Sequence, residues 1–304
     1  MFDLTNPIYH DADKAREHLE AMVWPEGVFC KHCGSVSVTK LQGKSTRPGV
    51  YKCRDCRKPF TVTVGTIFED SKIKLNKWLL AFRLMAGSKK GISAHQLGRS
   101  LGITYKSAWF MAHRIREAMR SGDLSPFGSD GGAVEVDETY IGRKAGSGAP
   151  KGGWSHKMTV LGLVDRNTGR SRFFHVEKPG APIQSIVLDN LSREARLMTD
   201  EHVMYRKIGR EFAEHSSVMH FNKEYARGDV TTNTIEGAFS IFKRGMKGIY
   251  QHCREKHLHR YLAEFEFRYS NRIANGIDDT ERTNIALRGI VGRRLMYRQP
   301  DFRA

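Results

Sequence analysis

The sequence predicts a multidomain α/β protein with an N-terminal zinc ribbon, a helix-turn-helix segment and a mixed-sheet domain. Three observations support this organisation. Four cysteines form two close pairs near the N-terminus, a basic helical stretch follows, and short apolar runs then alternate with helix-like segments. With 304 residues, the chain is long enough for two or three domains.

The positive charge is unevenly distributed. The chain has 50 Lys and Arg against 33 Asp and Glu, a net charge of +17. Residues 70–120 contain 11 basic and 2 acidic residues, whereas residues 121–236 contain 15 and 16. This distribution favours a nucleic-acid partner, although a basic surface that serves only solubility is the alternative.

The composition also bears on location. No apolar run reaches the 18 residues that a membrane span needs, and the N-terminus lacks the pattern of a secretory signal. Five cysteines without an export signal favour the reducing cytosol. We therefore expect a cytoplasmic protein with no membrane partner.

The cysteine spacing is typical of a structural zinc site. Two C-x2-C pairs are separated by nineteen residues and consist of Cys30, Cys33, Cys53 and Cys56. Each pair lets two thiolates from one tight turn reach the same ion, and four thiolates leave no open position for catalysis. The expected zinc ribbon covers about residues 24–66. Two chance pairs of buried cysteines are the alternative, and Cys253 is expected to be a core or surface thiol.

Residues 72–120 show helical spacing and the signals of a helix-turn-helix. Ser93 and Thr104 can each cap a helix, and Gly102 supplies the turn between them. The exposed side of the second helix is expected to meet DNA phosphates and base edges through Tyr105, Lys106, His113 and Arg116. An ordinary helical hairpin with a solvated basic face is the alternative.

The alternating segments after a Gly/Ser/Pro-rich linker predict a sheet domain. Strands are expected at AVEVDETYIG, KMTVLGLVD, SRFFHVEKP, ARLMTDE and SSVMHF, and helices at APIQSIVLDNLSREA, VMYRKIGREFAE, LHRYLAEFEFRYSNR and from about Thr232. The glycine-rich segment GRKAGSGAPKGGW lacks the P-loop pattern and is expected to be a mobile loop.

Three acidic residues form a candidate metal site. Asp137 and Asp200 are each expected to close a strand, and Glu236 lies on the following helix. If the two strands are sheet neighbours, the three carboxylates can hold two Mg²⁺ or Mn²⁺ ions for in-line displacement at phosphorus. A chance trio among 33 acids is the alternative. Glu138 and Glu201 compete, but a residue one place further along a strand points to the other face.

Basic and amide side chains accompany Glu236 on its helix. Asn233 lies three residues before it and Lys243 seven after it, so helical spacing places them broadly on one side. Lys243 and Arg244 are expected where a DNA phosphate approaches.

Several segments resemble bacterial insertion-sequence transposases of the zinc-ribbon, DDE type. They are WPEGVFCKHCG, CRDCRKPFTVTVGTIFEDSKIKLNKW, VEVDETYIG, TTNTIEGAFSIFKRGMKGIY and KHLHRYLAEFEFRYSNR, within about residues 20–275. The resemblance implies an RNase H-like catalytic domain in which Asp137, Asp200 and Glu236 bind metal and Lys243 is the accompanying basic residue. The family often has His where this chain has Thr231.

The resemblance also implies a function and a division of the chain. We expect binding to terminal inverted repeats, 3′-end cleavage and strand transfer into target double-stranded DNA, by a homodimer or higher multimer on DNA in the bacterial cytosol. A DNA-binding regulator derived from such an element and a structure-selective nuclease are the alternatives. The expected domains are 1–68 with the ribbon, 69–122 with the helix-turn-helix, 130–275 as the catalytic domain and 276–304 as a basic tail.

Overall fold

The computed structural model describes residues 4–144, 146–147, 153–177 and 181–296. They fall into two units. The first comprises the described residues within Met1–Ser88, Ile92–Met119 and Asp279–Ala304, and the second those within Lys89–Gly91 and Arg120–Asp278. Within the described ranges, no helix is both long enough and apolar enough to cross a membrane.

The first unit begins with a helix and a small antiparallel sheet. Its first elements are α1 (Ala12–Val23), β1 (Val38–Lys40), β2 (Tyr51–Cys53) and β3 (Pro59–Phe60), with strand order β1-β2-β3. Trp24 packs edge-on against both Tyr51 and Phe60, with ring centroids 5.4 and 6.0 Å away. These rings give the ribbon an apolar core on one side, where so short a sheet could not form one by itself.

The predicted helix-turn-helix forms within three successive helices, α2 (Leu75–Ala86), α3 (Ala94–Leu101) and α4 (Tyr105–Ala118). Ser93 accepts a hydrogen bond from the Gln96 N–H at 3.1 Å and caps α3. Gly102 ends α3 in the left-handed region, with φ of +59°, and Thr104 caps α4. The three sequence signals therefore act as predicted.

The last described segment of the chain returns to the first unit. The sequence gives no structure for residues 276–304, but helix α9 (Asp279–Arg288) forms there. Arg282 donates to the Ala86 carbonyl at 3.2 Å, and the Ile67 N–H donates to the Ile290 carbonyl at 3.2 Å. This packing joins segments about 200 residues apart, which no local pattern could indicate.

The second unit is built on a five-stranded mixed sheet. Its strands are β4 (Ala133–Ile141), β5 (Met158–Asp165), β6 (Ser171–Val176), β7 (Arg196–Thr199) and β8 (Glu214–Ser217), in the order β6-β5-β4-β7-β8. Strands β4, β5 and β6 pair antiparallel, whereas β7 and β8 run parallel to β4. This is an RNase H-like sheet, and the predicted fold class is confirmed.

Helices cover both faces of this sheet. They are α5 (Ala181–Asn190), α6 (Val203–Ile208), α7 (Asn233–Gly245) and α8 (Leu258–Ser270), with a short hairpin of β9 (Ala226–Arg227) and β10 (Val230–Thr231) before α7. One core packs Val134 and Val136 of β4 against α5 and α6. The other packs β5 against α7 and α8. Alternate residues of β4 therefore face different helices.

The predicted fifth strand and the predicted glycine-rich loop of this unit do not both match the described structure. The predicted fifth strand SSVMHF is shifted, since β8 ends at Ser217, opposite the last residue of β7, and His220–Asn222 forms a 3-10 turn. The glycine-rich loop GRKAGSGAPKGGW lies partly outside the described residues, so its expected mobility remains a prediction.

Gly162 allows α7 to approach the sheet closely. It pairs with Asp137 in the antiparallel register of β4 and β5. A Cβ atom at this position would lie 2.6 Å from Ile235 Cδ1 and 2.7 Å from Phe239 Cζ, both on α7. The absence of a side chain on β5 thus sets how near the helix comes to Asp137.

We predict that Gly162→Ala lowers the free energy of unfolding by about 1–3 kcal/mol, because the added methyl group overpacks the sheet–helix interface. Denaturant unfolding of purified protein measures this change. Gly237→Ala is the matched control, since a Cβ there meets nothing within 4 Å. In the interior of α7 it should raise stability by about 0.5–1 kcal/mol. Equal effects of the two changes would contradict the prediction.

Candidate functional site

The four cysteines of the ribbon converge on one point. Their sulfur atoms all lie within 4.8 Å of one another, with Cys30 and Cys56 at 3.6 Å and Cys33 and Cys53 at 3.7 Å. Tetrahedral zinc with Zn–S bonds of about 2.3 Å requires sulfur separations of about 3.8 Å. The donor set and its spacing therefore fit a structural zinc ion, as predicted.

The two aspartates are brought together by the parallel pairing of β4 and β7. Glu135 of β4 is aligned with Met198 of β7. Continuing this register by two residues aligns Asp137 with Asp200, which directly follows β7. Neighbouring strands lie about 4.8 Å apart, so the two backbones carry their carboxyl groups at the same level of the sheet. The sequence-based condition that their strands be neighbours is met.

One detail of the predicted geometry is wrong. Asp137 does not close its strand, because β4 continues to Ile141 and pairs with β5 over the whole stretch from Val134. The pairing of β4 with β7, in contrast, ends at Glu135. Asp137 therefore lies where one neighbour of β4 ends, and Asp200 lies just beyond that end.

Glu135 fixes the start of α7 against β4. Its carboxylate is fully buried and accepts the Ile235 N–H at 2.8 Å and the Arg166 Nε–H at 2.6 Å. Arg166 also donates to the carbonyl of Thr231 at 2.8 Å. A buried carboxylate at a helix N-terminus is favoured by the helix dipole. The hydrogen bond from Ile235 to Glu135 therefore holds the next residue, Glu236, near the strand that carries Asp137.

Asp137 and Glu236 line one cleft of about 620 Å³. Lys243, Arg244 and Lys247 of the helical segment from α7 onward line the same cleft. Acids thus lie at one end and cations beside them, which suits a phosphate group approaching a metal site. Asn233 is exposed at the first turn of α7 and is not among the residues lining this cleft.

Burial and crowding of negative charge affect the acids directly. Burial raises the pKa of Asp137 to about 7, with the charges of Asp200 and Glu236 adding to the increase. Burial lowers the pKa of Lys243, while the negative charge of Asp137 opposes that decrease. Within the described residues, only the cysteines form a group with all ligand atoms within 4.8 Å. The ligand atoms of Asp137, Asp200 and Glu236 do not all lie within that distance of one another.

The competing acids take different positions. Glu138 follows Asp137 on β4 and lies beside the buried Tyr205, whose pKa is raised well above its usual range by burial and by the charge of Glu138. Burial raises the pKa of Glu138 to about 8. Glu201 instead accepts the N–H groups of His220 and Phe221 at 2.8 and 3.1 Å, and so holds the turn after β8.

Sequence reasoning missed two residues that contact Glu236. Thr232 donates its hydroxyl to Glu236 Oε1 at 2.9 Å, and His220 Nε2 lies 3.7 Å from the same oxygen. His220 also lies 3.3 Å from the Thr232 hydroxyl. Thr231, where the family often has His, instead accepts the Asn233 N–H at 3.0 Å. No spacing rule connects His220 with Glu236, because a loop and hairpin separate them.

The helix-turn-helix exposes fewer of the predicted DNA contacts than expected. Tyr105 is 50% exposed, and Lys106 is also exposed, both in the first turn of α4. The expected exposure of His113 and Arg116 is wrong, since they are 1% and 2% exposed. Helix α4 packs against α2, α3 and α9, which leaves mainly its N-terminal turn open. That turn is the part of a recognition helix that contacts base edges.

A zinc ribbon, a helix-turn-helix and an acid-lined RNase H-like sheet define a transposase class of protein. The family described as ISXO2-like transposase domain matches residues 130–270, and that described as transposase zinc-ribbon domain matches residues 10–59. A protein of Halobacterium salinarum described as an uncharacterized protein in transposable element ISH50 is 28% identical over 274 residues, covering 84% of this chain and 90% of that protein. The chain therefore carries a transposase zinc-ribbon domain and a transposase domain, which confirms the resemblance to insertion-sequence transposases.

We predict that the purified protein contains about one zinc ion per chain and that Cys53→Ser removes it, because structural zinc needs all four thiolates. Elemental analysis measures the stoichiometry. Cys253→Ser is the matched control, because Cys253 is not part of the four-sulfur cluster, and it should retain the metal. Retention of zinc by Cys53→Ser would rule out the four-thiolate site.

We predict that Asp137→Asn stabilises the protein in magnesium-free buffer at about pH 8, by roughly 1–3 kcal/mol. The folded-state pKa of Asp137, about 7, exceeds the ordinary 3.8. The folded protein therefore binds this proton more tightly than the unfolded chain does, and it loses stability as the pH rises from about 4 through 7. The difference from wild type should therefore vanish near pH 4. Unfolding measured across this range tests it.

Asp130→Asn is the control for this pH dependence. Asp130 is exposed and adopts a left-handed backbone, with φ of +58°, that Asn also tolerates. It should retain the wild-type pH profile. A destabilised Asp137→Asn variant at high pH would show that the carboxylate is not strained in the free protein.

Proposed function

We propose that this transposase catalyses metal-dependent 3′-end cleavage and strand transfer at the cleft lined by Asp137 and Glu236. The observation that carries the proposal is the β4–β7 register, which aligns Asp137 with Asp200 beneath the helix bearing Glu236. Oxygen ligands on three acids suit Mg²⁺ or Mn²⁺. When bound, two such ions would activate an attacking oxygen and stabilise a leaving oxygen in an in-line displacement.

The chain's own residues would position the DNA around that reaction. Asp137 and Asp200 offer carboxylates from adjacent strands, and Glu236 offers a third, oriented by the Thr232 hydroxyl. Lys243 and Arg244 line the cleft, where they can bind the phosphates beside the scissile bond. In this arrangement His220 supports Glu236 as a positioning residue.

The first unit supplies the means of DNA recognition in this proposal. The first turn of α4 presents Tyr105 and Lys106, which can reach base edges and phosphates. His95 stacks on Tyr105, with ring centroids 4.2 Å apart, and so limits the motion of that side chain. We propose that this surface and the ribbon bind the terminal inverted repeats. Joining two ends requires at least a dimer assembled on DNA.

Two other functions remain distinct in their products. A DNA-binding regulator would bind the same DNA without changing it, and a structure-selective nuclease would cleave without joining. The alignment of Asp137 with Asp200 favours a phosphoryl-transfer function over the regulator, because binding alone does not require clustered acids. Strand joining separates transposition from simple cleavage.

The proposal predicts that the protein joins a labelled element-end oligonucleotide to target DNA with Mg²⁺ or Mn²⁺. Asp137→Asn, Asp200→Asn and Glu236→Gln should each reduce joining by about 100-fold or more, because metal charge stabilisation is worth several kcal/mol. Joined and cleaved products are separated on denaturing gels. Element ends are identified as inverted repeats flanking the gene, bordered by short target duplications.

Asp189→Asn is the matched control, since Asp189 lies on α5, away from the cleft-lining residues. It should join DNA like wild type. Cleavage without joining would support the nuclease instead. DNA binding without cleaved or joined products would contradict the proposed mechanism, and so would full activity of Asp137→Asn.

A further inference from the structure

An exposed tryptophan shortly before β5 has no role in the chemistry described above. Trp154 is 57% exposed, although tryptophan side chains are usually well buried. It stacks on Tyr140 with ring centroids 5.5 Å apart and an angle of 12° between the planes. The Lys157 ammonium lies 4.2 Å from the Trp154 ring centroid. An aromatic ring that stacks on a strand residue, with a cation beside it, is thus presented to solvent.

Trp154 lies in a cleft of about 1380 Å³ with a strongly positive lining. Among the residues that the structure describes, two acids line it, Glu177 and Glu255. The basic residues of the same described lining are Arg143, Lys157, Lys243, Lys247, Arg254 and Lys256. A groove that combines cations with an exposed stacked aromatic ring is the arrangement that binds single-stranded nucleic acid.

This cleft is continuous with the candidate active site. Lys243 and Lys247 line both it and the cleft that holds Asp137 and Glu236. Tyr140, which supports Trp154, is three residues after Asp137 on the same strand. Along a strand this separation is about 10 Å, although residues three apart point to opposite faces, so the shared lysines are what connect the two clefts. A DNA strand with a phosphate at the acids can pass along these lysines toward Trp154.

We propose that Trp154 stacks on an unpaired nucleobase of the DNA strand adjacent to the reacting phosphodiester, with the surrounding cations binding its phosphates. The inference rests on the proposed function, since the acids define where that phosphodiester lies. Lys157 occupies a position beside the ring that a base can take, and its flexible side chain can then move to a phosphate. Intact duplex keeps its bases paired and stacked, so the site is selective for DNA that is open near the cleavage point.

The test compares two DNA probes of matched sequence in magnesium-free buffer that retains structural zinc. One is a fully paired duplex and the other a forked duplex with a single-stranded thymidine arm. Wild type should bind the forked probe more tightly than the duplex. Trp154→Ala should reduce the ratio of the two dissociation constants by roughly 5- to 100-fold, the range for loss of base stacking. Fluorescence anisotropy gives both dissociation constants.

Two further arms make the result specific to stacking. Trp154→Phe keeps an aromatic face and should retain most of the preference for the forked probe. Removing the bases from the arm should abolish the preference of wild type and leave Trp154→Ala unchanged. Leu124→Ala, at another exposed apolar residue of the second unit, should bind both probes like wild type.

Each outcome bears on the proposal. Undiminished preference in Trp154→Ala, or wild-type preference for an arm without bases, would overturn stacking. Equal weakening of both probes by Trp154→Ala would also overturn it, because a structural role predicts that result. Binding needs neither cleavage nor joining. If Trp154→Ala loses the preference for the forked probe but wild type joins no DNA, the proposed function alone is contradicted. If wild type joins DNA but Trp154→Ala keeps the preference, the Trp154 site alone is contradicted.

Discussion

The candidate site depends on one buried interaction, the contact of the Glu135 carboxylate with the N-terminus of α7. Glu135 lies two residues before Asp137 on β4, and Ile235, whose N–H donates to the Glu135 carboxylate, directly precedes Glu236. A charge removed from water is stable only when its hydrogen-bonding needs are met, and Arg166 meets the remainder. The positions of β4 and α7 relative to each other are thereby fixed, and this fixes where the candidate acids Asp137 and Glu236 lie.

The same construction leaves the acids under electrostatic tension. Gly162 brings α7 close enough for Glu236 to share a cleft with Asp137, and burial then raises the pKa of Asp137 to about 7. The Glu138 N–H, which donates to Asp137 at 2.7 Å, opposes this increase, and burial lowers the pKa of nearby Lys243. Crowded carboxylates repel one another, and bound cations relieve that repulsion.

Local signals were predicted well because they act over a few residues. The cysteine pairs form their cluster, and Ser93, Gly102 and Thr104 end or begin helices as their chemistry requires. Asp200 follows its strand as expected, whereas Asp137 does not end β4, since backbone pairing with β5 continues to Ile141. Helical spacing alone predicts an exposed face for His113 and Arg116, because it cannot show that α4 has helices on several sides.

The sequence by itself determined the zinc ribbon, the helix-turn-helix, the strand and helix order of the sheet domain and the identity of the three acids as candidates. Only the tertiary structure decided that β4 and β7 pair in parallel just before Asp137 and Asp200, that Thr232 and His220 flank Glu236, and that α9 returns to the first unit. The reason is physical. Periodicity and capping depend on neighbouring residues, whereas these contacts join residues far apart in the chain, whose partners depend on how the whole core packs.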